Sequence, residues 1–204
     1  MTMVQAAALW TGIGFLLGAM PFSYWLGRLV LHTDIRLYGD GNPGAANAWR
    51  AGKWRVGVPA LLLDYLKGAV PVSLAQGQGG LHGWVLLPVA LAPVLGHAFS
   101  PFLHFKGGKA VAATFGIWTG LTIWEAPTVL GISVGVIHRF QVIDAWTVMG
   151  GMVGLLFYLL QRGTALHILA IWSGNLVVLV WKHRDDLRQR PRLRPWVRHL
   201  LRRG

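Results

Sequence analysis

Residues 34–50 contain the first group of side chains suited to binding an anion. A glycine-rich turn that includes Gly44 carries Asn42 and Asn47, and Arg50 follows shortly after. Glycines allow tight turns that present backbone amides, while asparagine and arginine side chains supply further hydrogen-bond donors. This combination indicates a site for a negatively charged ligand.

Two further polar segments have a related character. Paired glycines precede a lysine in Gly107-Gly108-Lys109, immediately before an apolar stretch, and residues 182–186 follow the last apolar stretch. Amides, a helix N-terminus and a lysine charge together favour phosphate. The spacing differs from a Walker A motif. Each segment alone is explained as an ordinary loop with turn glycines, but the three together predict an anionic, phosphorylated ligand.

Composition places these segments in a membrane protein. The 204 residues are 54% apolar and 13% charged, which is half the charged fraction of a usual soluble domain. This excludes a disordered chain and argues against a soluble globule. The absence of Cys excludes disulfides, thiolate zinc sites and cysteine nucleophiles. A formal net charge of +12 raises nucleic acid as a partner, but the apolar content makes the membrane the better partner, with no nucleic acid required.

Long apolar runs predict an all-α polytopic protein with about seven transmembrane helices. Each run approaches the roughly 20 residues that a spanning helix needs. The seven runs are 4–31, 56–75, 81–103, 110–125, 126–139, 142–161 and 164–181. The pair within 110–139 is short and meets near Pro127, so a re-entrant hairpin is the alternative there.

The positions of the cations predict the orientation. If the N-terminus lies outside, all 19 Lys and Arg residues except Lys67 and Arg162 fall on the inner side, as the positive-inside rule requires. The C-terminus and the three polar segments are then cytoplasmic. We interpret residues 1–204 as one domain and residues 182–204 as a basic tail attracted to anionic lipid headgroups.

Ionisable residues within the apolar runs are further candidates. Asp64 and Lys67 lie three residues apart and are expected to pair on one helix face. His97 lies near the inner end of its run, in a polar neighbourhood. No neighbouring residues specify a chemistry for Glu125, His138, Asp144 or His167.

Four stretches together resemble the bacterial acyl-phosphate-dependent glycerol-3-phosphate acyltransferases, the PlsY family. They read Pro-Phe-Ser-Tyr-Trp-Leu-Gly-Arg at 21–28, Asp-Ile-Arg with the glycine-rich turn at 34–50, Leu-Asp-Tyr-Leu-Lys-Gly at 63–68, and Gly-His to Gly-Gly-Lys at 96–109. The resemblance covers residues 15–115 and continues more loosely to His183. It implies an inner-membrane enzyme with seven helices and a cytoplasmic active site.

The same resemblance implies the reaction and its residues. An acyl chain passes from acyl phosphate to the 1-hydroxyl of glycerol 3-phosphate, giving lysophosphatidate and phosphate, with no cofactor or metal. The glycine-lysine loop and Arg50 are implied to hold phosphate, and the amide-rich turn is implied to contribute donors. His183 matches the histidine of a third signature. The resemblance thus implies a site that comprises Arg50, Lys109, His183, Asn42, Asn47, Gly107 and Gly108. We add Gly44 of the turn and His97 as candidate binding residues.

Several positions depart from the family pattern. Asp40 replaces a serine, Ala46 a threonine and Asp186 an asparagine, while Val142 lies where the family has a serine-bearing stretch. Carboxylates repel a phosphate unless they are protonated. We include Asp186 among the binding residues, and we regard Asp40 and His183 as the two candidate general bases.

Two alternatives to this reaction follow from the departures and from the intramembrane charges. A paralogue could act on another hydroxylated acceptor, or serve as an inactive lipid-binding or regulatory protein. A transporter is the third class, suggested by Asp64 and Lys67 among Gly and Pro interruptions. The collection of polar motifs on one face argues against transport.

Overall fold

Residues 1–201, which the computed structural model describes, form nine α-helices and a single isolated β-bridge. The all-α prediction is therefore confirmed. The helices are Met3–Ala19 (α1), Phe22–Leu31 (α2), Ala45–Gly77 (α3), Leu86–Ala98 (α4), Val111–Thr122 (α5), Glu125–Phe140 (α6), Asp144–Gln161 (α7), Leu166–Leu187 (α8) and Pro195–Leu201 (α9).

Each of the seven predicted apolar runs is helical, and α1 and α2 share the first of them. Four stretches within residues 1–201 are long and apolar enough to cross a membrane, namely Met3–Leu31, Ala45–Gly77, Gly83–Leu103 and Leu166–Leu187. Helix α5 has 12 residues and is about 18 Å long, short of the roughly 30 Å hydrocarbon core. The count of seven crossings and the orientation stay predictions.

Two helix boundaries differ from the prediction. Helix α3 begins at Ala45 instead of residue 56, and Lys53 interrupts it with a φ of +52°. Helix α8 continues to Leu187 instead of ending at 181, because residues 182–187 contain no glycine or proline to stop it. The predicted basic tail therefore begins as helix.

Glycines allow the helices to cross at backbone distance. A methyl group at Gly116 of α5 would overlap the Tyr65 carbonyl of α3 and lie 2.8 Å from the Ala69 nitrogen. At Gly96 of α4 it would overlap the Phe15 carbonyl of α1. Such small-residue contacts are the usual means of packing helices in a membrane.

The intramembrane pair between Asp64 and Lys67 forms as expected. Lys67 Nζ lies 2.8 Å from Asp64 Oδ1 and donates to the Met20 carbonyl at 2.8 Å. Asp64 Oδ2 accepts from the Ser23 hydroxyl at 2.5 Å. Buried charges need such partners, and these contacts attach α2 and the end of α1 to α3.

We expect Gly116→Ala to destabilise the protein by about 1–3 kcal/mol, because the added methyl forces α3 and α5 apart. The measurement is the thermal unfolding midpoint of the purified protein in detergent. Gly135→Ala is the matched control, since a methyl at Gly135 of α6 meets nothing within 4 Å. Equal midpoints for the two variants would show that the α3–α5 crossing tolerates the methyl.

Candidate active site

A cavity of about 470 Å³ lies where the ends of α3, α5, α6, α7 and α8 meet. One part of its wall is apolar, with Leu61, Phe115 and Val148 among its residues. The polar part includes Asp40, Asn42, Arg50, Asp64, His97, Lys109, His138, Asp144, Thr147 and His183. Such a cavity can hold an apolar chain together with a charged head group.

Lys109 brings the three polar segments together. Its Nζ lies 2.6 Å from Asp40 Oδ2 and donates to Asp186 Oδ2 at 2.5 Å. The three side chains are 26%, 39% and 33% exposed, respectively. The lysine predicted to bind phosphate therefore has two carboxylates as its partners.

The other Asp40 oxygen organises the glycine-rich turn. Asp40 Oδ1 accepts from the Asn47 side chain at 3.1 Å and from the Asn42 amide at 3.2 Å. Arg50 donates to Asn47 Oδ1 at 2.6 Å and lies 4.0 Å from Asp40 Oδ1. Asn47 is fully buried, so it positions Arg50 and Asp40 from behind the cavity wall.

Asp40 and Lys109 each stabilise the charged form of the other. Burial raises the pKa of the Asp40 carboxyl, but the hydrogen bond and charge of Lys109 outweigh it, so the pKa is lowered overall. Burial lowers the pKa of Lys109, but hydrogen bonds to Asp186 and Asp40 raise it above its ordinary value. The Asp40 contribution to stability is lost only as pH falls through its lowered pKa, and the Lys109 contribution only as pH rises through its raised pKa. Both groups are charged at neutral pH.

The glycine-lysine loop differs from the expectation that its amides are free. The Gly108 amide donates to the His97 carbonyl at 3.0 Å, and a methyl at Gly108 would overlap the His97 ring. The Gly107 carbonyl accepts from Lys182 at 2.9 Å. Both glycines are buried behind the cavity wall, so in this structure the loop presents Lys109 and not the Gly108 amide.

The two predicted histidines and Gly44 lie in the cavity wall with Asn42. His183 Nδ1 lies 2.8 Å from the Leu179 carbonyl. A carbonyl only accepts, so Nδ1 carries the proton and Nε2 is an acceptor. His97 Nδ1 lies 3.9 Å from Asp64 Oδ1 and has no hydrogen-bond partner among residues 1–201.

Sequence reasoning missed several residues of the site. His138 at the end of α6 and Asp144 at the start of α7 both line the cavity, whereas Val142 between them does not. Lys182 supports the loop through the Ala98 and Gly107 carbonyls. Lys182 belongs to the third polar segment, but its role in supporting the loop was not predicted. No motif marks His138 or Asp144, because their roles depend on how distant helices pack.

Within residues 1–201, no three His, Asp or Glu side chains are arranged to hold a metal ion. The fold and the cavity together define an α-helical membrane protein. Its charged groups meet at one end of the helices, beside an apolar wall suited to an acyl chain.

The comparisons identify the family within this class. A sequence model described as glycerol-3-phosphate acyltransferase matches residues 8–191, and the chain belongs to this family. A relative from Thermotoga maritima, named glycerol-3-phosphate acyltransferase 1, is 40% identical over 87% of this chain and 94% of its own. A glycerol-3-phosphate acyltransferase from Maridesulfovibrio salexigens is 35% identical over 88% of this chain and 91% of its own.

Solved structures show the same fold. The crystal structure of PlsY, an integral membrane glycerol 3-phosphate acyltransferase, in its glycerol 3-phosphate form has a TM-score of 0.84 at 26% identity. It is matched over 95% of this chain and 98% of that chain. The lysophosphatidic acid form has a TM-score of 0.79 over 89% and 90% of the two chains. The predicted membrane fold and family resemblance are confirmed.

We expect Asp40→Asn combined with Asp186→Asn to make the Lys109 amine more reactive. In this double variant the two carboxylates no longer raise the pKa of Lys109, whereas burial still lowers it. The pKa therefore falls, and a larger fraction of the amine is neutral at pH 8.5. Acetylation of the Lys109 peptide in detergent, followed by mass spectrometry, should therefore be measurably faster in the double variant than in the native protein.

Asp185→Asn is the control for this labelling experiment. Asp185 is next to Asp186 in sequence, but its side chain is 71% exposed and contacts Arg184 and Arg188 instead of Lys109. It should leave the labelling rate unchanged. If the double variant also leaves the rate unchanged, the two carboxylates do not control the protonation of Lys109.

Proposed function

We propose that this protein transfers an acyl chain from acyl phosphate to the 1-hydroxyl of glycerol 3-phosphate, giving lysophosphatidate and phosphate. The observation that carries the proposal is the convergence of the three polar segments on Lys109, with Arg50 4.0 Å from the Asp40 carboxylate that also contacts Lys109. Family membership and the two PlsY structures support it. We place the protein in the bacterial inner membrane as a multi-pass protein, with this site facing the cytoplasm, because the positive-inside rule favours that orientation.

The proposed reaction is direct acyl transfer. The hydroxyl oxygen of the acceptor attacks the acyl carbonyl carbon and forms the ester bond. The bond between that carbon and the phosphate oxygen breaks. Lys109 and Arg50 hold the phosphate charges and orient the two substrates, which is the main contribution that such a site makes to rate.

His183 is the better candidate for the general base. Its Nε2 can accept the hydroxyl proton, because Nδ1 carries the proton that is hydrogen-bonded to the Leu179 carbonyl. Asp40 is held by Lys109, which lowers the pKa of its carboxyl and makes it a weaker base. The departing phosphate then receives the proton and leaves as hydrogen phosphate.

The apolar side of the cavity suits the acyl chain. Leu61, Phe115 and Val148 line it and separate the reacting carbonyl from water. A long acyl chain gains free energy from leaving water, so these residues contribute to binding without taking part in the chemistry.

The carboxylates of Asp40 and Asp186 favour a second candidate function, in which the acceptor carries less negative charge than glycerol 3-phosphate. Both carboxylates contact Lys109, so a phosphate that binds there must displace them or accept their negative charge nearby. An acceptor with hydroxyl groups and less negative charge avoids this cost. Acyl transfer to such an acceptor is therefore the second candidate.

We expect Lys109→Ala to lower the rate of lysophosphatidate formation by about 10²–10³-fold, the usual effect of removing one preorganised group that stabilises developing charge. The assay uses purified protein in detergent with acyl phosphate and glycerol 3-phosphate. Lys106→Ala removes a cation from the same loop, but Lys106 is exposed and outside the cavity wall, so activity should be retained. Equal activity of Lys109→Ala and the native protein would remove Lys109 from the mechanism.

The combined change Asp40→Ser, Ala46→Thr and Asp186→Asn tests the choice between acceptors. It removes two carboxylates and adds donors, so we expect the KM for glycerol 3-phosphate to fall by about tenfold or more. Steady-state rates with glycerol 3-phosphate and with uncharged glycerol are compared for both proteins. A native protein that prefers glycerol supports the second candidate, whereas full native activity with glycerol 3-phosphate would show that the carboxylates do not impair phosphate binding.

A further inference from the structure

The segment after α8 folds back on the turn between α6 and α7. We call residues 189–196 the C-terminal strap. An antiparallel bridge pairs Gln141 with Leu193. The Val142 amide donates to the Arg192 carbonyl at 2.9 Å, and the Arg194 amide donates to the Phe140 carbonyl at 2.8 Å. The strap is thus attached to the protein through its main chain.

The Gln141 side chain adds hydrogen bonds that hold the C-terminal strap against the turn between α6 and α7. Gln141 is buried, and its Oε1 accepts from the amides of Val142, Ile143 and Arg192 at 2.8, 3.2 and 3.0 Å. One side-chain oxygen therefore caps the α6–α7 turn and binds the strap. Main-chain donors of the turn and of the strap are satisfied by the same group.

Aromatic contacts hold both ends of the C-terminal strap. The Arg139 guanidinium lies 4.0 Å from the centre of the Trp196 ring, and the Phe140 ring lies 5.5 Å from it. Trp146 Nε1 donates to the Gln189 carbonyl at 2.8 Å. Cation–π and aromatic contacts of this kind add to the main-chain bonds.

Arg194 of the strap reaches a residue of the cavity. Its Nε donates to the His138 carbonyl at 2.8 Å, and its Nη2 lies 3.0 Å from His138 Nε2. A guanidinium only donates, so Nε2 is the acceptor and the proton of the neutral imidazole is on Nδ1. His138 Nδ1 faces Asp144 Oδ1 at 3.7 Å, and both residues line the cavity.

We propose that Arg194 is a positioning residue of this site, which holds His138 as a neutral N–H donor beside Asp144, where the two side chains bind a hydroxyl group of the acceptor. A donor next to a carboxylate acceptor matches a hydroxyl, which both donates and accepts. The identity of the acceptor rests on the proposed function. The strap and its effect on His138 do not.

The kinetic test compares four variants of the full-length protein in lipid nanodiscs: Arg194→Ala, Arg190→Ala, His138→Ala, and His138→Ala combined with Arg194→Ala. We expect Arg194→Ala to raise the KM for glycerol 3-phosphate by about tenfold, the effect of one net hydrogen bond, with the KM for acyl phosphate unchanged. Arg190→Ala is the matched control, because it removes an exposed cation of the same strap and should change neither KM. Arg194→Ala should have no further effect in a His138→Ala background, since the two residues act as one unit.

The second test reads the tautomer of His138 directly by ¹⁵N NMR of histidine-labelled protein. We expect the Nδ1–H form in the native protein and in Arg190→Ala, and a mixture of forms in Arg194→Ala. If Arg194→Ala does not fold, Arg194→Gln replaces it, because glutamine keeps a donor for the His138 carbonyl but cannot make both bonds.

Two results would overturn the proposal. One is a native His138 that carries its proton on Nε2, and the other is an equal effect of Arg190→Ala and Arg194→Ala on both KM values, as loss of lipid attraction alone would give. A native protein that forms no lysophosphatidate contradicts the proposed function instead. The NMR arm then still decides whether Arg194 positions His138.

Discussion

The ammonium of Lys109 between the carboxylates of Asp40 and Asp186 is the contact on which the site depends. It joins the turn before α3, the loop before α5 and the end of α8, which are far apart in the chain. A lysine in a partly desolvated wall needs opposite charge nearby. Here that charge comes from the protein itself, so the three helix ends are held together before any substrate binds.

This contact explains why the departures from the family pattern have a physical consequence. Asp40 and Asp186 stand where the resemblance to the family leads one to expect a serine and an asparagine, whose side chains can donate to phosphate oxygens. The two aspartates stabilise the Lys109 ammonium and oppose an anion that approaches it. The two carboxylates therefore add to the stability of the free protein, and under the proposed function they lower its affinity for phosphate.

The sequence predicted the fold better than it predicted the detailed site. Each of the seven apolar runs is helical in the structure, because burial in a membrane depends on residue type over many positions. The start of α3 was missed because residues 45–55 are polar enough to resemble a loop. His138 and Asp144 were also missed. They lie six residues apart in the sequence, and this spacing does not reveal that one ends α6, the other begins α7, and both line the same cavity. The role of the Gly108 amide depends on the His97 carbonyl, which no local pattern reveals.

The basic residues at the C-terminus show why net charge alone cannot assign a role. Arg190 and Arg194 lie in the same strap and contribute equally to the +12 charge. Arg190 is exposed to solvent or headgroups, whereas Arg194 bonds to the end of α6 and to His138. A guanidinium forms directed hydrogen bonds as well as long-range electrostatic attraction. Whether an arginine forms such bonds therefore depends on where the backbone places its side chain. The bridge between Gln141 and Leu193 therefore places one cation of the basic tail, Arg194, where it supports the cavity wall.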